Sequence, residues 1–469
     1  RSTPAPSTRS MACKAQTSGR IYLRSGPRTE LHEIIRQEYA RHQDRAVPRN
    51  TLRQAVQGML DTFAYQNFDA AAGEYTNRCC RPPRETEMRP WRLVTEIGWT
   101  GGGVLAYPLV LCRDALGADA EAPLAAAMSG EQLFDRIADA YNEKSGLLND
   151  LMAPNAAGSQ VNGWWTGYGL VKDCHCAYTV GSAVHYLTKT MDYLHQNGKP
   201  CPAKWMDAAQ KVLHTVMDLQ RADGAFGYTY STQERKVLDW SGFAGCWFAP
   251  ALVYLYRLTG EERCLHSAEK ALDYYHTFVK DLNCYGTPMD TWKAVDEEGN
   301  LAFMRGSRLL YEQTGKAEFL QYMKDSAGYE FLWRYGYKTY PEHTPLNQGW
   351  SACGGAVTSV SNPHIHPMGV IIDTDLRYLA RVTGDGYYAS RAADSAAWML
   401  QCLELYPAAT GYGRYGILSE RWCPSDGLDV ERFSDGRPFS SWFSHNLWAS
   451  ACVLEAACEL LLEIEHKKG

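Results

Sequence analysis

The chain has 469 residues, 45% of them apolar, with 47 basic and 53 acidic residues and a net charge of −6. A balance that even, without a charge block, leaves no electrostatic footprint for nucleic acid, and no apolar run is long enough to span a membrane. The 15 cysteines are odd in number and sit mostly inside apolar stretches (Cys112, Cys246, Cys402, Cys452, Cys458), which predicts reduced thiols in a cytoplasmic protein.

In chain order, residues 1–30 are polar and basic without the apolar middle of a secretion signal, and read as a disordered leader with Met11 as a candidate start. Residues 31–469 are expected to form one domain. TLRQAVQGMLDTFAYQ (51–66) is amphipathic with Thr51 or Asn50 as its cap, and the Pro- and Arg-rich stretch 78–92 is a loop. GWTGGGVLAYPLVLCRDALG (98–117) is a buried helix with an amphipathic partner at 124–141. The same pairing recurs as 174–198 with 203–220, 239–260 with 261–280, 291–315 with the segment beginning KAEFLQYM, and 367–384 with the segment beginning DGYYASRA. In the central pair, DWSGFAGCWFAPALVYLYRLTG is apolar on nearly every face, whereas Leu265, Ala268, Leu272, Tyr275 and Phe278 form one apolar stripe. One further apolar helix, 441–464, ends the chain without a following partner.

Three pairs share a weak repeat around Thr259-Gly260, Thr314-Gly315 and Thr383-Gly384. Five hairpins plus one orphan helix at each end predict an all-α closed ring, an (α/α)6 toroid, whose sixth hairpin joins the first and last helices. An open solenoid is the alternative. The short Thr-Gly turns then lie on one face. The long connections 142–173, 221–238, 336–367 and 405–440 lie on the other, where a rigid scaffold places chemistry.

The heads of the inner helices share that mouth. Glu96, Asp173, Asp239 and Asp290 each precede one, as do His364 and His366, and His445 lies in SSWFSHNLW. An acid before a helix caps it. Acids at the mouth from four successive units, each beside aromatic residues, also match the carboxyl pair that glycoside cleavage requires. Asp173 and Asp239 are the leading catalytic pair, followed by Asp290 and Glu96. Trp99, Trp164, Trp165, Tyr168, Trp240, Trp292, Trp350 and Trp442 are candidate platforms for sugar rings, with loop packing as the structural alternative. His175, His364, His366, His445 and Arg377 are candidate substrate hydrogen-bonders, Arg377 and the SNPHIHPMG pair toward an acidic sugar. No third ligand accompanies that His pair, and Cys174-His175-Cys176 lacks zinc spacing, so no metal and no cofactor is predicted. Asp373 and Asp375 fall within an apolar helix and need a partner, with Arg377 or a ligand hydroxyl as candidates.

The stretches DGAFGYTY and VLDWSGFAGCWFAPALVYLYRLTG, with the NGWW loop, make the chain similar to the six-hairpin glycosidase superfamily. Its unsaturated glucuronyl and rhamnogalacturonyl hydrolases are nearest. The resemblance implies a carbohydrate-active toroid using inner-helix carboxylates, with Asp173 and Asp239 as the nearest matches. An Arg-Gly-x-x-Trp segment of the unsaturated uronyl hydrolases is not evident, which speaks against vinyl-ether hydration. The expectation is a glycoside hydrolase acting on an oligosaccharide, uronic-acid-containing chains included. A polysaccharide lyase or sugar epimerase on the same scaffold is the alternative, and the oligomeric state, a homo-oligomer included, is left open.

Overall fold

The computed structural model describes residues 30–467 except 43, 81–88, 91–94, 99–101, 153–162, 166–169, 288–292, 340–349, 361, 404, 406–415, 417 and 423–442. The leader expected over 1–30 lies outside the described residues apart from Glu30, where a helix begins.

Fourteen helices are described: α1 (Glu30–Arg41), α2 (Leu52–Thr62), α3 (Gly103–Leu116), α4 (Glu121–Ala126), α5 (Gly130–Asp139), α6 (Ala177–Gln196), α7 (Ala203–Leu219), α8 (Phe248–Thr259), α9 (Glu262–Lys280), α10 (Glu298–Thr314), α11 (Ala317–Trp333), α12 (Asp373–Thr383), α13 (Gly386–Cys402) and α14 (Leu447–His466). Contacts run from α3 to α6, α8, α10, α12 and α14, and α14 packs back on α3, so six inner helices close a ring. Helices α2, α5, α7, α9, α11 and α13 form the outer layer, and α2 packs on α14 as the sixth hairpin. The expected (α/α)6 toroid is the fold. Helix α1, which the sequence pattern did not predict, lies outside the ring against α11.

Burial follows the apolar pattern. Residues Phe248–Leu255 of α8 are all buried, while α9 buries one stripe that includes Leu265, Ala268, Leu272 and Tyr275. The Thr-Gly repeat has a local cause. Gly260, Gly315 and Gly384 adopt φ of 73°, 65° and 70° as helix C-caps, a left-handed conformation that glycine reaches without a Cβ penalty. Each preceding threonine donates to the carbonyl four residues back and accepts the N–H two residues on, as in Thr259 to Leu255 (2.8 Å) and Glu261 to Thr259 (3.2 Å).

At the opposite face the inner helices begin later than their apolar runs suggest. The run from 291 becomes helical only at Glu298, and the run from 367 starts as a 3-10 turn, Met368–Ile372, before α12. The intervening residues pair as small antiparallel sheets, such as Cys174–Cys176 with Thr229–Ser231 and Val237–Asp239, and Ala356–Ser359 with Asn362–His366. These strands satisfy the backbone of the long connections and fix their side chains over the ring.

The ring axis is filled by charge. Lys189 of α6 pairs with Glu455 and, at 2.8 Å, with Glu459 of α14, and Arg305 of α10 pairs with Asp375 of α12 at 2.8 Å. Among the described residues, no helix is long and apolar enough to cross a membrane.

Candidate functional site

The head of α10 carries three consecutive acids. Asp296 is fixed by its backbone, whose N–H donates to Cys284 (2.8 Å) and whose carbonyl accepts from the Tyr329 hydroxyl (2.7 Å). Its carboxyl accepts the N–H groups of Gly299 and Thr287, each at 3.1 Å, and so caps the helix. Burial pushes its pKa up to about 8, against the pull of those hydrogen bonds.

Glu297 is fully buried and faces Glu330 of α11. Burial, then the charge of Glu330, holds the Glu297 carboxyl well above the usual carboxylate range. Arg334 binds Glu330 Oε1 at 2.7 and 3.0 Å and Asp373 Oδ1 at 2.8 Å, and donates to the Gly369 carbonyl at 2.7 Å. Burial raises Asp373 to about 6 despite Arg334. Arg334 thus binds Glu330 and Asp373 directly, and burial beside Glu330 favours the protonated form of Glu297. A Cβ at Gly369 would meet Glu297 Oε1, so the Glu297 carboxyl packs directly against this glycine. Glu298, the next residue, is 7% exposed and lies against the Tyr178 hydroxyl. A proton-bearing carboxyl beside a carboxylate is the equipment of general acid–base catalysis.

Three of the four acids expected from the sequence fall on described residues. Glu96 is buried on the strand Thr95–Glu96 ahead of α3. Asp173 is exposed, with φ of 59°, and its carbonyl accepts from Thr232. Asp239 accepts from Lys293 at 2.6 Å and from the Ser241 N–H at 2.8 Å. Asp173 immediately precedes the strand Cys174–Cys176 and Asp239 ends the strand Val237–Asp239, and these are the two outer strands of one three-stranded sheet, with Asp239 opposite Thr229 of the middle strand. Asp290 lies outside the described residues, as do Trp99, Tyr168, Trp292 and Trp442.

Several expected substrate ligands are committed to the protein. His175 bonds Asp150 at 2.8 Å and Ser145 at 2.9 Å, all three buried. His445 bonds Asn67 at 3.0 Å. Arg377 binds Glu463 of α14 at 2.7 Å and acts on Asp373 only through its charge. The direct partners of Asp373 and Asp375 are Arg334 and, for Asp375, Arg305 and Arg308. Trp350 is buried and stacks on Trp422 at 4.9 Å, Trp164 is buried, and Trp240 is half-buried under Arg221. The backbone of Trp165 lies in the strand Gly163–Trp165. His364 and His366 are buried, which lowers them to about 4 and about 3 and keeps both rings neutral.

Glu297, Glu298, Glu330 and Arg334 were missed. The signal was the run Asp296-Glu297-Glu298-Gly299, three acids and a glycine where an apolar helix was expected to be already under way.

No protein-family model and no curated protein matches the sequence. Solved structures do. A family 76 glycoside hydrolase from a bovine Bacteroides thetaiotaomicron strain aligns with 89% of this chain and 78% of its own at 11% identity and a TM-score of 0.57. Cellobiose 2-epimerase from Bacillus thermoamylovorans aligns with 92% of this chain and all of its own at 12% identity and 0.55. Unsaturated glucuronyl hydrolase from Streptococcus agalactiae aligns with 91% and 95% at 13% identity and 0.51. At these identities the likeness establishes the six-hairpin toroid fold.

Proposed function

We propose that the protein is a glycoside hydrolase acting on an oligosaccharide, with uronic-acid-containing chains among the candidates. The observation that carries this reading is the cluster of carboxyls at the head of α10, where the buried Glu297, whose protonated form is favoured, faces Glu330 beside the more accessible Glu298. Glu297 is assigned as the acid for the leaving oxygen, and Glu298 or Glu96 as the carboxylate that activates water or attacks carbon. Asp173 and Asp239, at the border of the mouth, are assigned to holding the sugar, with Trp240 as a platform. The described cysteines are free thiols, and only Cys201 among them is exposed, which supports a cytoplasmic setting.

A screen of neutral and uronic aryl glycosides tests the activity, and Glu298→Gln tests the assignment. Loss of about 100-fold or more in kcat with an unchanged melting temperature is expected for removal of a catalytic acid or base. Full activity in Glu298→Gln and Glu96→Gln together refutes it. A sugar epimerase is the second reading, supported by the fold shared with a cellobiose 2-epimerase. Deuterium incorporation from solvent into a free sugar without bond cleavage would establish it instead.

A further inference from the structure

We propose that Asp150 is a positioning residue of the mouth, locking the strand that carries Glu96 to the head of α6, whose Tyr178 lies against Glu298. This role rests on the carboxylate assignment above and goes beyond it by naming what fixes Glu96 relative to the acids of α10.

Asp150 ties together segments that are distant in sequence. Its carbonyl accepts from the Ile97 N–H at 3.0 Å, directly after Glu96, and its neighbour Leu151 pairs with Glu96 across two short strands. Its Oδ1 accepts from the N–H of Cys176, the N-cap residue of α6, at 3.1 Å. Its Oδ2 bonds His175 Nδ1 at 2.8 Å, and the other ring nitrogen bonds Ser145 Oγ at 2.9 Å. The Ser145 hydroxyl in turn accepts from the Leu147 N–H at 3.2 Å. An imidazole held at both nitrogens keeps the carboxyl turned toward Cys176. The grouping of Ser, His and Asp is that of a nucleophilic triad, but each of the three is 1% exposed, so no substrate reaches the serine and the arrangement acts as a clamp.

The two sides of this joint also touch directly. A Cβ at Gly98 would lie 2.2 Å from the Thr179 carbonyl oxygen, and Ser182 donates to the Gly98 carbonyl at 3.3 Å, so the chain after Glu96 rests on the first turns of α6. Tyr178, two residues beyond Cys176, meets Glu298 from the same helix. Glu96 and Glu298 are therefore both referenced to α6, and Asp150 is the side chain that locks the first of them to it. Carboxyl separation decides between direct attack and displacement by water, and a misplacement of about 1 Å can cost about 100-fold in rate.

The test is residue-resolved amide hydrogen exchange of the full chain, with kinetics on any aryl glycoside that the protein cleaves. Asp150→Ala removes the side-chain bonds to Cys176 and His175 but keeps the backbone bond to Ile97. Exchange at Cys176 should rise about tenfold or more, and exchange at Ile97 should rise with it, because the strand of Glu96 has lost its hold on α6. The same variant should lower kcat about tenfold to a hundredfold while KM stays within about threefold. Asp150→Asn keeps an oxygen for Cys176 and lets His175 change tautomer, so it should restore both exchange rates and most of kcat. Ser145→Ala removes only the far support of the imidazole and should shift both amides in the same direction by a smaller factor, which decides the matter where Asp150→Ala fails to fold. Faster exchange at Cys176 with Ile97 unchanged, or equal kcat in the Ala and Asn variants, overturns the proposal. If no glycoside is cleaved, the hydrolase reading fails, and the response of Ile97 still decides whether Asp150 holds the strand of Glu96.

Discussion

Replacing Asp375 with Asn tests whether the ring is held by the charges on its axis. Asp375 is fully buried and binds Arg305 Nε through both oxygens, at 2.9 and 2.8 Å, and Arg308 at 3.2 Å. The amide keeps the shape and one acceptor oxygen but removes the charge, leaving Arg305 with neutral acceptors only at this position, that oxygen and the Ile371 carbonyl at 2.9 Å. Breaking one side of a buried pair costs about 3–5 kcal/mol. Unfolding entropy of about 2.1 cal/mol/K per residue over 469 residues gives ~1 kcal/mol/K, so the melting temperature should fall by about 3–5 °C. Calorimetry at pH 7 measures it. A double-mutant cycle adds the identity of the partner: coupling of about 1 kcal/mol or more is expected with Arg305→Met and none with Arg377→Met. A fall below about 1 °C, or coupling to Arg377, would refute the axial network.

Acid should weaken the fold through its buried histidines. Burial lowers His366 to about 3 and His364 to about 4, so the unfolded chain, with an ordinary value near 6.5, binds protons more readily than the folded one. The stability each contributes is complete above pH ~6.5 and is lost as pH falls, by ~1.4 kcal/mol per unit down to the folded value. Urea titrations at pH 7 and 5 should show this fall, and His366→Asn should flatten it by one proton; an unchanged slope would count against burial of that ring. Gly369→Ala drives a methyl into Glu297 Oε1 and places it 3.0 Å from Ala356 Cβ, and should cost about 1–3 kcal/mol of stability. Urea unfolding measures that cost, and a substitution without effect would mean that Glu297 does not lie against this glycine.

Hairpin order and ring closure were legible because they depend on local chemistry. An all-apolar helix must be inside, its striped partner must cover it, and in three of the pairs Thr-Gly ends the first helix by a hydrogen-bond pattern that needs only neighbouring residues. The mouth was legible as an address but not as a set of contacts. Glu330 lies on outer helix α11, 33 positions from Glu297 in the sequence, and so falls outside the heads of the inner helices where acids were expected. His175 looks available for substrate until the chain returns Ser145 and Asp150 to its two ring nitrogens. Arg377 has the right sequence proximity to Asp373 and Asp375, but its side chain leaves the inner seam toward α14, whereas Arg334 and Arg305 arrive from neighbouring helices.

The balance of charge along the axis separates support from chemistry. In the deeper layer, Lys189, Arg305 and Arg308 meet Glu455, Glu459 and Asp375, so cations and carboxylates are matched. Nearer the mouth, Arg334 binds Glu330 and Asp373, Arg377 acts on Asp373 through its charge, and the carboxyls of Glu297, Glu330 and Asp373 outnumber these cations. A matched buried network gains nothing by changing protonation state, since either change strands a charge. An under-compensated one holds a proton that it can give up when a substrate alters its surroundings. The axis therefore carries matched charges in its deeper layer and an excess of carboxyls at the end where the inner helices begin, which is where the proposed acid lies.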